Sequence, residues 1–338
     1  MKNILLAVVI VFLAQCSGPG AELKEEANLF YPPPPQRPRI QYIRTIASPE
    51  DIGITRSWFK KTMHTIFGSG SENEDRFIRP YCVFFHNGRL YVTDPGFASV
   101  HVMDIEGKRY LRFYHIKKDI DLISPIGVVA DNSGRIYVSD SVLDKVFVFG
   151  RDGRFDFSFG YDFKRPTGIA IDEGRGVIYV VDTLADKVDV FNLKGEFQFS
   201  FGKKGEGDGE FNYPTHIFFK EGRIYVTDTM NFRIQVFDGK GRFLYKFGRP
   251  GDGSGDFSKP KGVASDKEGH IYVVDSDFDN VQIFTPEGKL LLYFGSEGKG
   301  RAGFSVPAGI FIDADDRIYV ADSYNSRIQV YRYLREKE

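Results

Sequence analysis

The stretch Pro214-Thr-His-Ile-Phe-Phe-Lys-Glu-Gly-Arg-Ile-Tyr-Val-Thr-Asp228, continued by Thr-Met-Asn-Phe-Arg-Ile-Gln-Val-Phe237, decides the fold. Its centre is a hydrophobic-Tyr-Val-x-Asp run. The run returns at Leu90 to Asp94, Ile136 to Asp140, Ile178 to Asp182, Ile271 to Asp275 and Ile318 to Asp322. Successive anchor aspartates are 46, 42, 46, 47 and 47 residues apart. A fixed period in this range is the mark of a repeat array. Each copy reads as four short strands. In the fourth copy, strand a follows Pro214, Glu221-Gly222 turns the chain, strand b carries the anchor, and Asp228 to Asn231 is a loop. Strand c is Arg233 to Phe237, Asp238 to Gly241 is a hairpin turn, and strand d is Arg242-Phe-Leu-Tyr-Lys-Phe-Gly248. Runs rich in Ile, Val, Tyr and Phe, cut by Gly and Asp turns, are strand and hairpin signals. Four-stranded units at this period predict an all-β chain, a six-bladed β-propeller of four-stranded blades.

A blade cannot bury both of its faces alone, so neighbours must stack and the ring must close. The sixth copy ends with strand c, Arg327 to Tyr331, and the chain stops at Glu338. Its fourth strand must come from elsewhere, and Arg39-Ile-Gln-Tyr-Ile-Arg-Thr-Ile46 is the natural donor. The recurring Pro-x-Gly-Ile-Ala-x-Asp, Ile-Tyr-Val-x-Asp-Ser/Thr, Asn-x-Arg-Ile-Gln-Val-Phe and Phe-Gly elements resemble the NHL repeat, over roughly Arg39 to Tyr333. Functions within that family are diverse, so the resemblance implies a fold more than an activity.

The segments outside the repeats have their own signals. Lys2 and the apolar run Ile4 to Ala14 read as an export signal over residues 1–15, too short to span a bilayer. Leu13-Ala14-Gln15-Cys16 resembles a bacterial lipobox, although Gln15 is not the usual small residue, and makes Cys16 the expected lipidation site. Ser17 after the Cys points to the outer membrane of a Gram-negative envelope. Residues 16–38, with Pro32 to Pro35, read as a tether, and the propeller is expected over 39–338. Within it, Ser48-Pro-Glu-Asp51 has the chemistry of a capped helix start. Trp58, Phe59, Met63, Ile66 and Phe67 then recur at helical spacing, so a short helical insertion is expected at about 48–67. A strand over Thr62 to Phe67 is the alternative.

The 338 residues carry a formal charge of −1, which argues against nucleic-acid binding. With Cys16 lipidated, Cys82 stands alone, so no disulfide framework is expected. No Cys/His spacing fits a metal site, and Gly205 to Gly209 reads as an inter-blade loop rather than a calcium loop. No cofactor is expected.

Chemistry is expected on the face formed by the d–a and b–c loops. The six anchor aspartates meet there, and a residue demanded by every repeat reads as a turn device accepting backbone N–H bonds. Arg233 and Arg327 are positioned to pair with some of them. In the Pro-x-Gly slot, Cys82 of blade 1 and His216 of blade 4 replace the glycine, on opposite sides of a six-fold ring. Arg79, Arg165, Lys259 and Lys261 flank the strand-a prolines of blades 1, 3 and 5, with Tyr81 and Tyr213 beside them. Cations converging on a concavity favour an anionic ligand. The expected ligand-binding set is Arg79, Tyr81, Arg165, Tyr213, His216, Lys259 and Lys261. These readings favour a non-enzymatic scaffold of the cell envelope that presents this face to a protein, a peptide or an anionic polymer. The alternative is a metal-dependent enzyme. The resemblance implies lyases with several channel histidines, or lactonases with Glu, Asn and Asp at the axis, and neither set is matched here.

Overall fold

The computed structural model describes residues 29–55, 75–160 and 162–335. Six four-stranded antiparallel sheets follow one another around a closed ring. Blade 4 shows the pattern, with strands Pro214–Lys220, Arg223–Asp228, Arg233–Asp238 and Phe243–Phe247 from the axis outward. The anchor strands b are buried along their whole length in blades 1, 2 and 5, and from their second residue onward in blades 3, 4 and 6. This follows from their position second from the axis, with a blade on either side. The apolar core divides into six clusters, each drawn from two adjacent blades. Burial is therefore a property of the interfaces, and an isolated blade would have nothing to fold against.

The ring closes as the sequence indicates. Ile40–Ile46 pairs with Arg327–Tyr333, Ile46 opposite Ile328, and becomes the outer strand of blade 6. The structure adds a fifth strand to this sheet. Phe30–Tyr31 pairs with Gln41 and Ile40, and Leu29 and Tyr31 pack on the interface between blades 5 and 6. The propeller thus begins ten residues before the expected boundary at residue 39, because apolar Leu29 and Tyr31 find a half-covered edge.

The repeated motifs each have a mechanical reason. The anchor tyrosines Tyr137, Tyr272 and Tyr319 donate to Asp131, Asp266 and Asp313 at the end of strand a, each at 3.0 Å. The Gln of strand c holds the preceding inter-blade loop. Gln235 accepts from the Gly209 N–H (3.0 Å) and donates to the Glu210 carbonyl (2.6 Å). Gln282 and Gln329 repeat this at Gly255 and Ala302. Arg233 reaches the Glu206, Gly207 and Glu210 carbonyls, so the Gly205–Gly209 loop is fastened by an arginine. In the Phe-Gly that ends strand d, Gly248 has φ +97° and a Cβ there would lie 2.5 Å from the Phe257 ring. Only glycine combines that backbone with that neighbour.

The capped start at Ser48 forms, but as a 3-10 turn, Pro49–Ile52. Asp51 accepts the Ala47 and Ser48 N–H groups, each at 2.8 Å, and Gly53 ends the turn at φ +73°. Ile52 and Ile54 pack into the interface between blades 6 and 1. The expected helix over Trp58 to Phe67, and its strand alternative, lie outside the described residues.

Candidate functional site

The six anchor aspartates, all fully buried, carry no free carboxylate to the surface. Asp94 accepts the Ile78 (2.7 Å) and Arg79 (2.9 Å) N–H groups of the d–a loop and the Gly96 (3.0 Å) N–H of the b–c loop. Asp140 and Asp275 do the same in their blades. Asp182 takes the Lys164 and Arg165 N–H groups. In blades 4 and 6, Arg233 and Arg327 donate to Asp228 and Asp322, each at 2.7 Å. The carboxylates are therefore loop staples, and burial pushes those of Asp228 and Asp275 above the usual carboxylate range.

These staples fix the backbone of Arg79, Arg165 and Lys259, the residues just before the strand-a prolines. Their side chains do not converge on one point. Each is engaged near its own blade. Arg79 lies over the Tyr324 ring, 5.2 Å from its centroid. Arg165 donates to the Tyr213 hydroxyl at 2.8 Å. Lys259 stands 3.7 Å from Asp277. Only Lys261 points toward the axis, over the Tyr81 ring at 5.4 Å and 3.4 Å from its hydroxyl.

Around these cations the same face exposes large apolar side chains. Val142, Leu184, Met230 and Tyr324 stand two residues after the anchor Asp of blades 2, 3, 4 and 6. Ile78, Ile123 and Val306 precede the strand-a prolines. Exposure runs from 39% at Val306 to 61% at Tyr324. These seven are most of the exposed large apolar residues among the described ones, and they share one face. The sequence carried the signal, since an apolar residue fills the same loop position in four of six repeats, where a solvated loop would hold a polar one.

The channel mouth differs from the expectation. Cys82 and His216 do not face one another. Cys82 packs into the interface between blades 1 and 2, where burial pushes its thiol up to about 11. Its neighbour Tyr81 makes the crossing instead. Tyr81 stacks on His216 from the opposite side of the ring, with centroids 5.4 Å apart and planes 22° apart. Lys261 lies on the same tyrosine, so the three residues cover the axis on this face. His216 is buried, and desolvation, aided by the Lys261 charge, brings its imidazole down to about 3. The glycine slots explain why side chains are rare there. A Cβ at Gly309 would lie 2.5 Å from the Tyr81 carbonyl of the next blade.

Below this cover the channel encloses a cavity of about 520 Å³. Its wall runs from Tyr81 and His216 to His86, Glu173, Glu221 and Lys267 at the a–b turns of the far face. Phe84, Phe218 and Phe311 meet within it, Phe311 lying 4.9 Å from Phe84 and 6.2 Å from Phe218 between centroids. The far rim is polar. His86 contacts Asn132 at 3.1 Å, and Asn132 contacts Glu173. Among the described residues, the other histidines are local. His101 is buried in strand c of blade 1, His115 pairs with Asp121, and His270 bonds Asp266 at the a–b turn. Among the described residues, no three His, Cys, Asp or Glu side chains are grouped to hold a metal ion.

Comparison with known proteins agrees with this architecture. A family model described as a 6-bladed beta-propeller matches residues 164–222 and 217–277, and the NHL repeat model matches 304–331. The chain is a six-bladed β-propeller, and the NHL match falls on its sixth blade. Among solved structures, it is similar to virginiamycin B lyase from Staphylococcus aureus, with TM-score 0.56 and 14% identity over 76% of this chain and 96% of that one. It is also similar to an auxiliary nutrient binding protein from Bacteroides thetaiotaomicron, with TM-score 0.59 and 16% identity over 76% and 69%. These likenesses are of fold. No curated protein matches the sequence.

Proposed function

We propose that the protein is a non-catalytic binding protein of the cell envelope, held to the membrane by a lipid on Cys16, that docks a partner protein on the face of its d–a and b–c loops. One observation carries this reading: seven exposed large apolar side chains gather on that face, interleaved with Arg79 over Tyr324 and Arg165 against Tyr213. Contiguous exposed apolar surface on a folded domain marks an interaction site. Tyr, Met and Arg are the residues enriched where proteins meet. A protein partner is favoured over an anionic polymer because the cations are partly committed, to tyrosine rings and to Asp277.

The face is held in place, since each d–a loop donates backbone N–H to a buried anchor carboxylate. Binding then costs little loop ordering. The test is capture of envelope proteins by the purified chain and by two double variants, Arg79→Ala with Arg165→Ala, and Met230→Asp with Tyr324→Asp. Both variants are expected to melt like wild type and to retain at least about tenfold less of a stoichiometric partner, the loss of two anchoring side chains. Equal capture by all three proteins would remove the proposal.

A further inference from the structure

On the face opposite the docking loops, two of the seams between blades close in the same way. Tyr137 of blade 2 donates to the Leu193 carbonyl in the c–d turn of blade 3 at 3.1 Å, and Tyr179 of blade 3 donates to the Gly239 carbonyl of blade 4 at 3.0 Å. Between blades 1 and 2 the described residues make no such bond, and a cleft of about 570 Å³ opens there. One wall is Asp104 and Arg109 to Leu111 of blade 1. The other is the c–d turn of blade 2, whose Gly153 sits against Leu111 and Phe113.

Three guanidinium groups line the cleft. Arg89 and Arg109 both donate to Oδ2 of Asp104, at 3.2 and 3.0 Å, so their charges stand close together. A guanidinium carries five N–H donors, and one shared carboxylate oxygen leaves most of them unspent. Arg151, in the turn of blade 2, is exposed and has no hydrogen-bond or ion-pair partner among the described residues. Burial raises the pKa of Tyr91, and the charges of Arg89 and Arg151 both act against that rise, which places Arg151 near the other two. Arg89 is only 8% exposed and contributes charge from behind. Arg109, with a side chain 70% exposed, and Arg151 are the groups a ligand can touch.

The charge balance sets the ligand. Asp152, the second carboxylate of the cleft, is paired at 3.3 Å with Arg154, which does not line it. Asp104 alone then answers three cations, and two positive charges are left over. Elsewhere on this face the arginines are matched, Arg242 by Asp238 and Arg317 by Asp313 and Asp315. A phosphate group carries about −1.5 to −2 near neutral pH, whereas a carboxylate carries a single charge. The planar fork of arginine also fits phosphate oxygens two at a time. Beside the cations, Tyr110 and Leu111 are half-buried and leave room for an organic body.

We infer that the cleft between blades 1 and 2 binds a phosphate group, free or on an ester, through Arg109 and Arg151 with Arg89 behind them. It lies among the a–b and c–d turns, so the inference does not depend on a partner at the docking loops.

The probes are phenyl phosphate, inorganic phosphate and benzoate, titrated calorimetrically into the purified full chain in about 0.1 M sodium chloride, where charges more than about 10 Å apart are screened. Both phosphates are expected to bind more tightly than benzoate. Tighter binding of phenyl phosphate than of inorganic phosphate would identify an ester as the source, and equal binding would identify the free ion. Arg151→Ala and Arg109→Ala should each weaken phenyl phosphate at least about tenfold, the loss of one charge-assisted contact, and melt like wild type because both side chains are exposed. Lys240→Ala removes an exposed cation from the c–d turn of blade 4, opposite blade 1 in the ring, and should leave the affinity within about twofold. Benzoate binding as tightly as the phosphates, phosphate affinity unchanged in Arg151→Ala, an equal loss in Lys240→Ala, or no heat from either phosphate would each overturn the inference.

Discussion

Acid should destabilise this fold through two buried imidazoles, and His101 gives the cleaner measurement. Its side chain is fully buried between strands b and d of blade 1, with Nδ1 2.8 Å from the Tyr110 hydroxyl and the Phe77 ring edge-on at 5.0 Å. Burial, with the Arg112 charge second, lowers its pKa to about 3. Asp94 lies 3.8 Å away but is already saturated by backbone N–H groups, so it does not offset the burial. In the unfolded chain the same imidazole titrates near 6.5. Above that value it is neutral in both states and stability does not depend on it. As pH falls below 6.5 the unfolded state takes up a proton that the folded state refuses. Stability then falls by about 1.4 kcal/mol per pH unit for each such group, or about 2 kcal/mol by pH 5. His216 adds a second contribution of the same sign. His270 behaves oppositely. Its hydrogen bond to Asp266 raises its pKa, so its contribution is complete below 6.5 and is lost as pH rises through the folded value. It is charged in both states between pH 5 and 6 and drops out of that window. Urea titrations of wild type and His101→Gln across pH 5–6 isolate the effect, since other groups cancel in the difference. The variant's stability should fall with acid by about 1.4 kcal/mol per pH unit less than wild type. Parallel profiles would refute the reasoning.

Two further outcomes follow from the staples and the slot. Asp140→Asn presents an amide where four backbone N–H groups expect a carboxylate, at 2.7 to 3.1 Å, and should cost about 3 kcal/mol in thermal unfolding while the sheet content is unchanged. Cys82, with its thiol pushed up to about 11 at the interface of blades 1 and 2, should react with a disulfide reagent at pH 8 at least about a hundredfold more slowly in the native protein than in urea, read as thiolate release.

What could be read in the sequence was what the repeat demands of every copy. The anchor Asp, the strand-c Gln and the Phe-Gly each serve the same local geometry six, three or four times, so periodicity exposes them. The donor strand was legible as the missing member of a complete set. Leu29 to Tyr31 were not, because they belong to no repeat and precede a proline run that reads as spacer. The Tyr81–His216 contact was hidden for another reason. Position in the repeat places both residues near the axis, but not how far a side chain reaches, and it was the residue beside Cys82 that spanned the ring. The cations lie in the d–a loops, where the repeat puts them, yet their partners come from side chains of other loops, Tyr324 for Arg79 and Tyr213 for Arg165, which spacing alone does not pair.

The strand that completes blade 6 is made before the other five blades, and its partner, Arg327–Tyr333, after them. Until then Ile40–Ile46 has open edges, and the five preceding blades form an arc with an uncovered apolar face at each end. Loop closure between these two strands spans all the other blades and is the most entropically demanding step, so the ring should fold slowly and all at once when they meet. During that interval the unpaired strand is the segment most exposed to pairing with the wrong neighbour, including the same strand of a second copy.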